Sequence, residues 1–373
     1  MTRGTVPRAR GHQQRGWTGK QDDNSSPQRH GGRRACAEKD VAPPPPVINL
    51  TYRKSPGSKP PVAIRHHNNY PPSNSPLEGS VILVTGATGN IGSELVKKLS
   101  ANHHNVRAFV RSRWQSREIA HKGVELTEGD FTDPDTFTRA LRDVDRLFLL
   151  IPSSAEVERQ QKNFVDAAKQ SGVKHIVKLS QLGADENAPG RFQRYHGAVE
   201  KYILESGVPY TFLRPNLFMQ GLLNFGEMIS ALGTFYAPAG DDKVKVSVVD
   251  VRDIASVAAR VLTESGHEGE TYDITGPEPL SHAEMASQLS HAVGRAIKYV
   301  EVSPEGMRHA MLGSEMPKWQ VDGLVEDYAH YCRGEGAVVT STVYDVTGVN
   351  PINFFQFARD YSGKFMGKAA VRA

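Results

Sequence analysis

One short segment limits the choice of fold more than any other feature of the chain. Val81-Ile82-Leu83-Val84 is a continuously apolar run, and Thr85-Gly86-Ala87-Thr88-Gly89-Asn90-Ile91-Gly92 follows it directly. Four apolar residues in a row, with no polar alternation, suit a strand covered on both faces, as in the middle of a parallel sheet. The glycines at 86, 89 and 92 then punctuate a tight passage into a helix. Gly86 allows the sharp turn off the strand, Gly89 lets the backbone approach a ligand with no Cβ between them, and Gly92 lets the helix lie close to the sheet. The free N–H groups at such a helix start, aided by the helix dipole, attract a diphosphate. Gly86, Thr88, Gly89, Asn90, Ile91 and Gly92 are therefore candidate dinucleotide ligands.

The residues that follow continue in the same style. Apolar runs at 106–110, 146–151 and 173–179 read as further strands, with helices expected at about 90–101, 134–143 and 155–171, the last stopped by Gly172. A further helix is expected over 191–206. Strands and helices alternating at this spacing predict an α/β fold, a doubly wound parallel Rossmann sheet. The expected division is a nucleotide-binding domain over 80–275 and a small, mostly helical substrate lobe over 276–373, which also receives part of 216–245.

Residues before 80 have a different texture. They hold 12 of the 23 prolines, including Pro43-Pro44-Pro45-Pro46, and 13 basic against 5 acidic residues. With no apolar period, such a segment cannot offset its ordering entropy, so 1–79 is expected to be a disordered basic tail. Arg3, Arg8, Arg10 and Arg15 precede any acid, as in an organelle-targeting leader, whereas Asp22-Asp23 interrupts one. A cytoplasmic protein is expected, with organelle targeting as the alternative. The tail's +8 accounts for the basic pI, because 81–373 sums to −4. No nucleic acid is therefore expected to bind the folded body. No apolar stretch approaches the roughly 20 residues of a membrane helix. Cys36 and Cys332 are too few for a disulfide framework or a cysteine-built metal site, and no metal is expected.

Cofactor choice is read after the second strand. A site for NAD places an acid about 20 residues beyond the glycines, to hold the ribose hydroxyls. Here Phe109-Val110-Arg111-Ser112-Arg113-Trp114 carries no acid before Glu118. Arg111 and Arg113 offer planar donors to a 2′-phosphate, so NADP(H) is expected, with NAD(H) as the weaker ligand. After the third strand, Asp130 is placed to accept from an adenine amino group and Phe131 to lie along its face; Asp133 would cap the next helix. Ile151 and Pro152, and Ser180, end the fourth and fifth strands, where ligands sit in doubly wound sheets.

TGATGNIG, GDFTDPDTF and HGAVEKYILESGVPYTFLRPNLFMQ together resemble the NmrA-like family of atypical short-chain dehydrogenases. The similarity runs from about Ser80 to Phe365 and includes YDITGPEPLSHAEMASQLSHAVGRAIKYVEV. The resemblance implies a Rossmann domain with a small lobe. The family includes nucleotide-binding redox sensors and reductases of quinones, triphenylmethane dyes and azo compounds. It also exposes a departure. The short-chain dehydrogenases' Tyr-x-x-x-Lys pair is absent, since Val199 stands four residues after Tyr195, and His196 occupies the place of the lysine of the phenylpropanoid reductases. His196 is the nearest substitute proton donor, with Glu200 one turn on to hold its imidazole charged. Asn216 and Phe218, after the TFLRP strand, would border the reacting groups. The segment 318–331 (KWQVDGLVEDYAHY) is read as lobe core that also suits a cover for the acceptor pocket. The expected function is hydride transfer from NADPH to a small conjugated acceptor. The alternative is a catalytically silent NADP(H) sensor acting through a protein partner.

Overall fold

The computed structural model describes residues 79–366, apart from 115, 121–122, 241–242 and 314–315. The expectations for the N-terminal tail therefore lie, but for Gly79, outside the described residues.

The apolar run forms β1 (Val81–Val84), and the glycine turn leads into α1 (Asn90–Ala101). Then come β2 (Asn105–Val110), β3 (Val124–Glu128), α2 (Asp135–Ala140), β4 (Arg146–Leu149), α3 (Val157–Gln170), β5 (His175–Leu179), α4 (Arg191–Ser206) and β6 (Tyr210–Pro215). The second half adds α5 (Gly226–Leu232), β7 (Thr234–Ala237), α6 (Val251–Thr263), β8 (Thr271–Ile274), α7 (His282–Val293) and β9 (Lys298–Glu301). It closes with α8 (Pro304–Leu312), α9 (Lys318–Cys332), α10 (Thr342–Thr347), α11 (Phe354–Asp360) and α12 (Ser362–Phe365).

Seven strands form one parallel sheet in the order β3-β2-β1-β4-β5-β6-β8, and β7 pairs with β9 in a separate two-stranded sheet. The strand order reverses beside β1, and the crevice beyond the strands' carboxyl ends there is where such sheets bind ligands. Side chains alternate between the two faces of the sheet. Ile82, Val84, Phe148, Val177 and Leu213 pack under α1 and α6. Leu83, Leu147, Leu149, Ile176 and Phe212 pack against residues of α2, α3 and α4. Each fully buried aliphatic side chain contributes roughly 1.5–3 kcal/mol, so this double cover is what makes the sheet rigid under the site. A third cluster joins Met219, Ile229 and Phe235 to Leu289, Phe354, Phe357 and Phe365, forming the core of the helical C-terminal region.

Two element ends depart from the sequence reading. β4 stops at Leu149 rather than 151, because the Thr85 hydroxyl takes over the next residue: it donates to the Leu150 carbonyl at 3.0 Å and accepts from the Leu150 N–H at 2.8 Å. α2 stops at Ala140 rather than 143, and the chain turns through Asp143 at φ +59°.

The amino end of the sheet holds a closed polar knot. The Arg146 guanidinium reaches His175 Nδ1 at 2.9 Å, the carbonyls of Val261 and Glu264, and the Glu268 carboxylate at 3.3 Å. His175 Nε2 meets the Thr211 hydroxyl at 2.9 Å, which donates to the His267 carbonyl. Burial first, then the charge of Arg146, bring His175 down to about 4, so its ring is neutral.

Candidate functional site

At the carboxyl end of β1 the glycine turn takes a shape that explains its composition. Gly86 has φ +64°, and a Cβ there would stand 2.8 Å from the Leu150 side chain. Its carbonyl accepts from the Gly89 N–H at 3.0 Å. A Cβ on Gly92 would lie 2.1 Å from that same carbonyl oxygen, so only glycine permits the close passage. Ile91 is buried and anchors the helix, whereas Thr88, Gly89 and Asn90 are exposed. No side chain caps α1 and no acid lies in its first turn. The positive end of the helix is therefore uncompensated and open, which fits a diphosphate.

Arg111 and Arg113 follow β2 and are exposed. The Arg113 N–H donates to Glu128 Oε1 at 2.7 Å, which fixes the loop's path. Beside them Trp114 is 69% exposed, with the Arg117 guanidinium 3.2 Å from its ring centre. Asp130 does not hold its carboxylate wholly free. Its Oδ1 accepts from both the N–H and the hydroxyl of Thr132, each at 2.7 Å. Those hydrogen bonds, with a smaller contribution from the charge of Arg111, lower its pKa. The Phe131 ring packs 5.0 Å from Phe109 and 5.9 Å from Phe164, on the rim of the core. Asp133 accepts from the Asp135 N–H at the start of α2. Ile151 is buried beyond β4, Pro152 is exposed, and the Ser153 hydroxyl lies 3.2 Å from that of Tyr195.

The groups expected to do chemistry are arranged differently from the sequence reading. His196 and Glu200 lie on one face of α4 but do not pair. Glu200 accepts from the Ser180 hydroxyl, buried just past β5, and forms an ion pair with Arg214 of β6, whose Nε donates at 3.0 Å. A charged guanidinium is a stronger partner for a buried carboxylate than a neutral imidazole. His196 turns instead to Lys178, whose ammonium sits 2.7 Å from its Nδ1 and donates to the Leu179 carbonyl at 3.0 Å. Burial, then the charges of Lys178 and Arg214, hold His196 well below its ordinary value. Its ring is neutral, and the charged imidazole expected from sequence does not form. Asn216 also has other partners: Nδ2 donates to the Gly336 carbonyl at 2.8 Å and Oδ1 accepts from the Leu217 N–H, so its amide ties β6 to the loop after α9.

Sequence reasoning missed Lys178. It is fully buried in a strand whose residues are all buried, and burial brings its ammonium down to about 7, with Glu200 opposing the shift and Arg214 adding to it. The signal was present: a lysine inside the run His175-Ile176-Val177-Lys178-Leu179 breaks the apolar pattern of a central strand. Asp327 of α9 was also missed. Its Oδ1 accepts from Gln181 Nε2 at 3.1 Å, and burial raises its carboxyl to about 7. α9 meets α4 through Arg191, which donates to Glu326 by both its N–H and its guanidinium, and through Trp319, whose ring lies 5.3 Å from Phe192 and 6.2 Å from Tyr195. Val325 and Tyr328 are half-buried, and Tyr328 packs against the third core cluster. No cluster of His, Cys, Asp or Glu able to hold a metal is present among the described residues, nor is any helix long and apolar enough to cross a membrane.

Known proteins resemble this chain in sequence and fold. An NAD(P)H azoreductase of Xenophilus azovorans is 39% identical over 285 residues, covering 76% of this chain and 99% of that protein. The structure of the NADPH-dependent quinone oxidoreductase QOR2 of Escherichia coli in complex with NADPH superposes with a TM-score of 0.68 at 27% identity, covering 75% and 99% of the two chains. That of the Citrobacter sp. triphenylmethane reductase with NADP(H) gives 0.66 at 27% identity, with the same coverage. The pattern of the NmrA-like family matches residues 78–331. The chain belongs to the NmrA-like family.

Proposed function

We propose that this protein is an NADPH-dependent reductase that transfers hydride to a quinone-like, azo or other conjugated acceptor. The observation that carries the reading is the neutral His196, bound at Nδ1 by Lys178, on the helix where a Tyr–Lys pair would otherwise supply strong acid help. An electron-poor conjugated acceptor needs little such help, whereas a plain ketone needs it. The kinship with reductases reported above supports the same conclusion.

Gly86, Thr88, Asn90, Ile91 and Gly92 hold the diphosphate on backbone N–H groups, and Gly89, whose own N–H is taken by the Gly86 carbonyl, lets it approach with no Cβ between. Arg111 and Arg113 bind the 2′-phosphate, Asp130 and Phe131 the adenine side, and Ile151, Pro152 and Ser180 border the nicotinamide. When bound, NADPH supplies the hydride. Glu200 and Arg214 fix Ser180 against β5, and His196 offers its Nε2 proton to the acceptor. Asn216 holds the β6 exit in place.

The test is oxidation of NADPH at 340 nm with a panel of quinones, azo compounds and cationic dyes. Turnover that prefers NADPH over NADH is expected. Replacing Arg111 and Arg113 together by Ala should weaken NADPH roughly tenfold more than NADH. Clear NADP binding with no turnover on any acceptor would instead favour a nucleotide sensor acting through a protein partner.

A further inference from the structure

Helical geometry makes the exposure of His196 informative. Residues three and four apart on a helix share a face. Phe192, Val199, Glu200 and Ile203 are all buried on α4, and His196 stands amid them on the inward stripe. A side chain there should be sealed, yet His196 is only partly buried. Its Nε2 has no hydrogen-bond partner among the described residues and is not closed off from solvent. The ring therefore keeps some solvent contact at Nε2, one turn from Glu200, which holds Ser180 just past β5. Its other nitrogen is in contact with Lys178, which has no solvent exposure. A protonated lysine can only donate, so Nδ1 accepts and the ring proton sits on Nε2, the nitrogen that keeps solvent contact.

We propose that Lys178 and His196 form a two-step proton relay. This rests on the reductase reading. Once the acceptor has taken a hydride it carries a negative charge on oxygen or nitrogen. That atom takes the proton from His196 Nε2 as Nδ1 takes one from the Lys178 ammonium. The acceptor leaves having gained the hydride and one proton, while His196 is left neutral with its proton on Nδ1 and Lys178 as an amine; a proton from solvent then enters at Nε2 as Nδ1 returns its own to the buried Lys178, which restores the starting state. Lys178 is thus a positioning and proton-supplying residue acting through His196. The groups facing the pair are Glu200 of the same helix, Arg214 of β6 and the Tyr195 ring, 4.1 Å from that of His196. With Glu200 held by Arg214, no carboxylate is left to charge the imidazole.

The test compares wild type with Lys178→Met and His196→Gln on two acceptors. A quinone needs a proton after hydride capture; a cationic triaryl dye becomes neutral on hydride capture and needs none. Lys178→Met is expected to lower quinone turnover at least roughly tenfold more than dye turnover and to remove both the solvent isotope effect on quinone reduction and its decline above about pH 7. A readout independent of turnover is the ¹⁵N spectrum of the His196 ring without nucleotide, which should show the Nε2–H form in wild type and lose that bias in Lys178→Met. His196→Gln, which donates a hydrogen bond but cannot relay, should match Lys178→Met on the quinone. Equal losses on both acceptors, or an unchanged ring spectrum, would overturn the relay while leaving the reductase reading intact. A wild type inactive on both acceptors would remove the reductase reading and the relay with it.

Discussion

Two residues of one strand, His175 and Lys178, stand at opposite ends of β5 in networks built from the same side-chain types. At the amino end, Arg146 and Thr211 occupy both nitrogens of His175, and the arginine satisfies two carbonyls besides. At the carboxyl end, Lys178 occupies one nitrogen of His196 and leaves the other without a hydrogen-bond partner among the described residues. The imidazole of the first network is bonded at both nitrogens, and that of the second at one. A completed buried network stabilises and fixes the fold; one that keeps a free donor and a buried ammonium sacrifices stability to keep a group ready for a ligand. That difference separates scaffold from site where residue types alone do not.

The sharpest way to break this contrast is Arg146→Met. It strands His175 Nδ1, Glu268 and two carbonyls, and should cost about 3 kcal/mol in urea unfolding, with the NADPH dissociation constant unchanged. A parallel loss of affinity would mean the two ends are not independent. Next, Gly89→Val should weaken NADPH roughly a hundredfold, because its branches occupy the diphosphate's place, while the unfolding midpoint stays nearly fixed. Calorimetric titration decides it. Third is acid. The folded value of His175, about 4, lies below its unfolded 6.5. Its contribution is complete above pH 6.5 and is lost as pH falls toward 4, by about 3 kcal/mol, because the unfolded chain binds the proton more readily. A urea series across that window should show the decline, and it should shrink in Arg146→Met. The smallest substitution effect is a gain, and the pH dependence behind it runs the same way as that of His175. Lys178 also has a folded value below its ordinary one, so wild-type stability should rise as pH climbs from about 7 toward 10.5. Lys178→Met should raise neutral-pH stability by about 1 kcal/mol and abolish that rise.

How much of this was legible depends on how far apart the partners lie in sequence. β1, α1 and α4 fall where the sequence places them, because Val81–Val84 is uniformly apolar and glycines punctuate the ends. The end of β4 was misjudged because a hydroxyl 65 residues away replaces the next sheet contact. The shape of the glycine turn was readable because its geometry is local. The partners of His196 and Glu200 were not. His196 and Glu200, one turn apart, suggested a pair by spacing alone, yet each bonds across 14 to 20 residues: Lys178 for one, Ser180 and Arg214 for the other. Asp327 meets Gln181 over 146 positions, a contact no periodicity announces.

The clasp between Arg191 and Glu326 has a consequence for how the protein can change. Arg191 opens the helix that carries His196, and it grips α9 through both its backbone and its guanidinium. Helices α4 and α9 are thereby mechanically geared. Reshaping α9 would tug on the first turn of α4 and shift the histidine. On the proposed reductase reading, a change of acceptor range built on α9 would carry over to turnover, and the two should trade against each other.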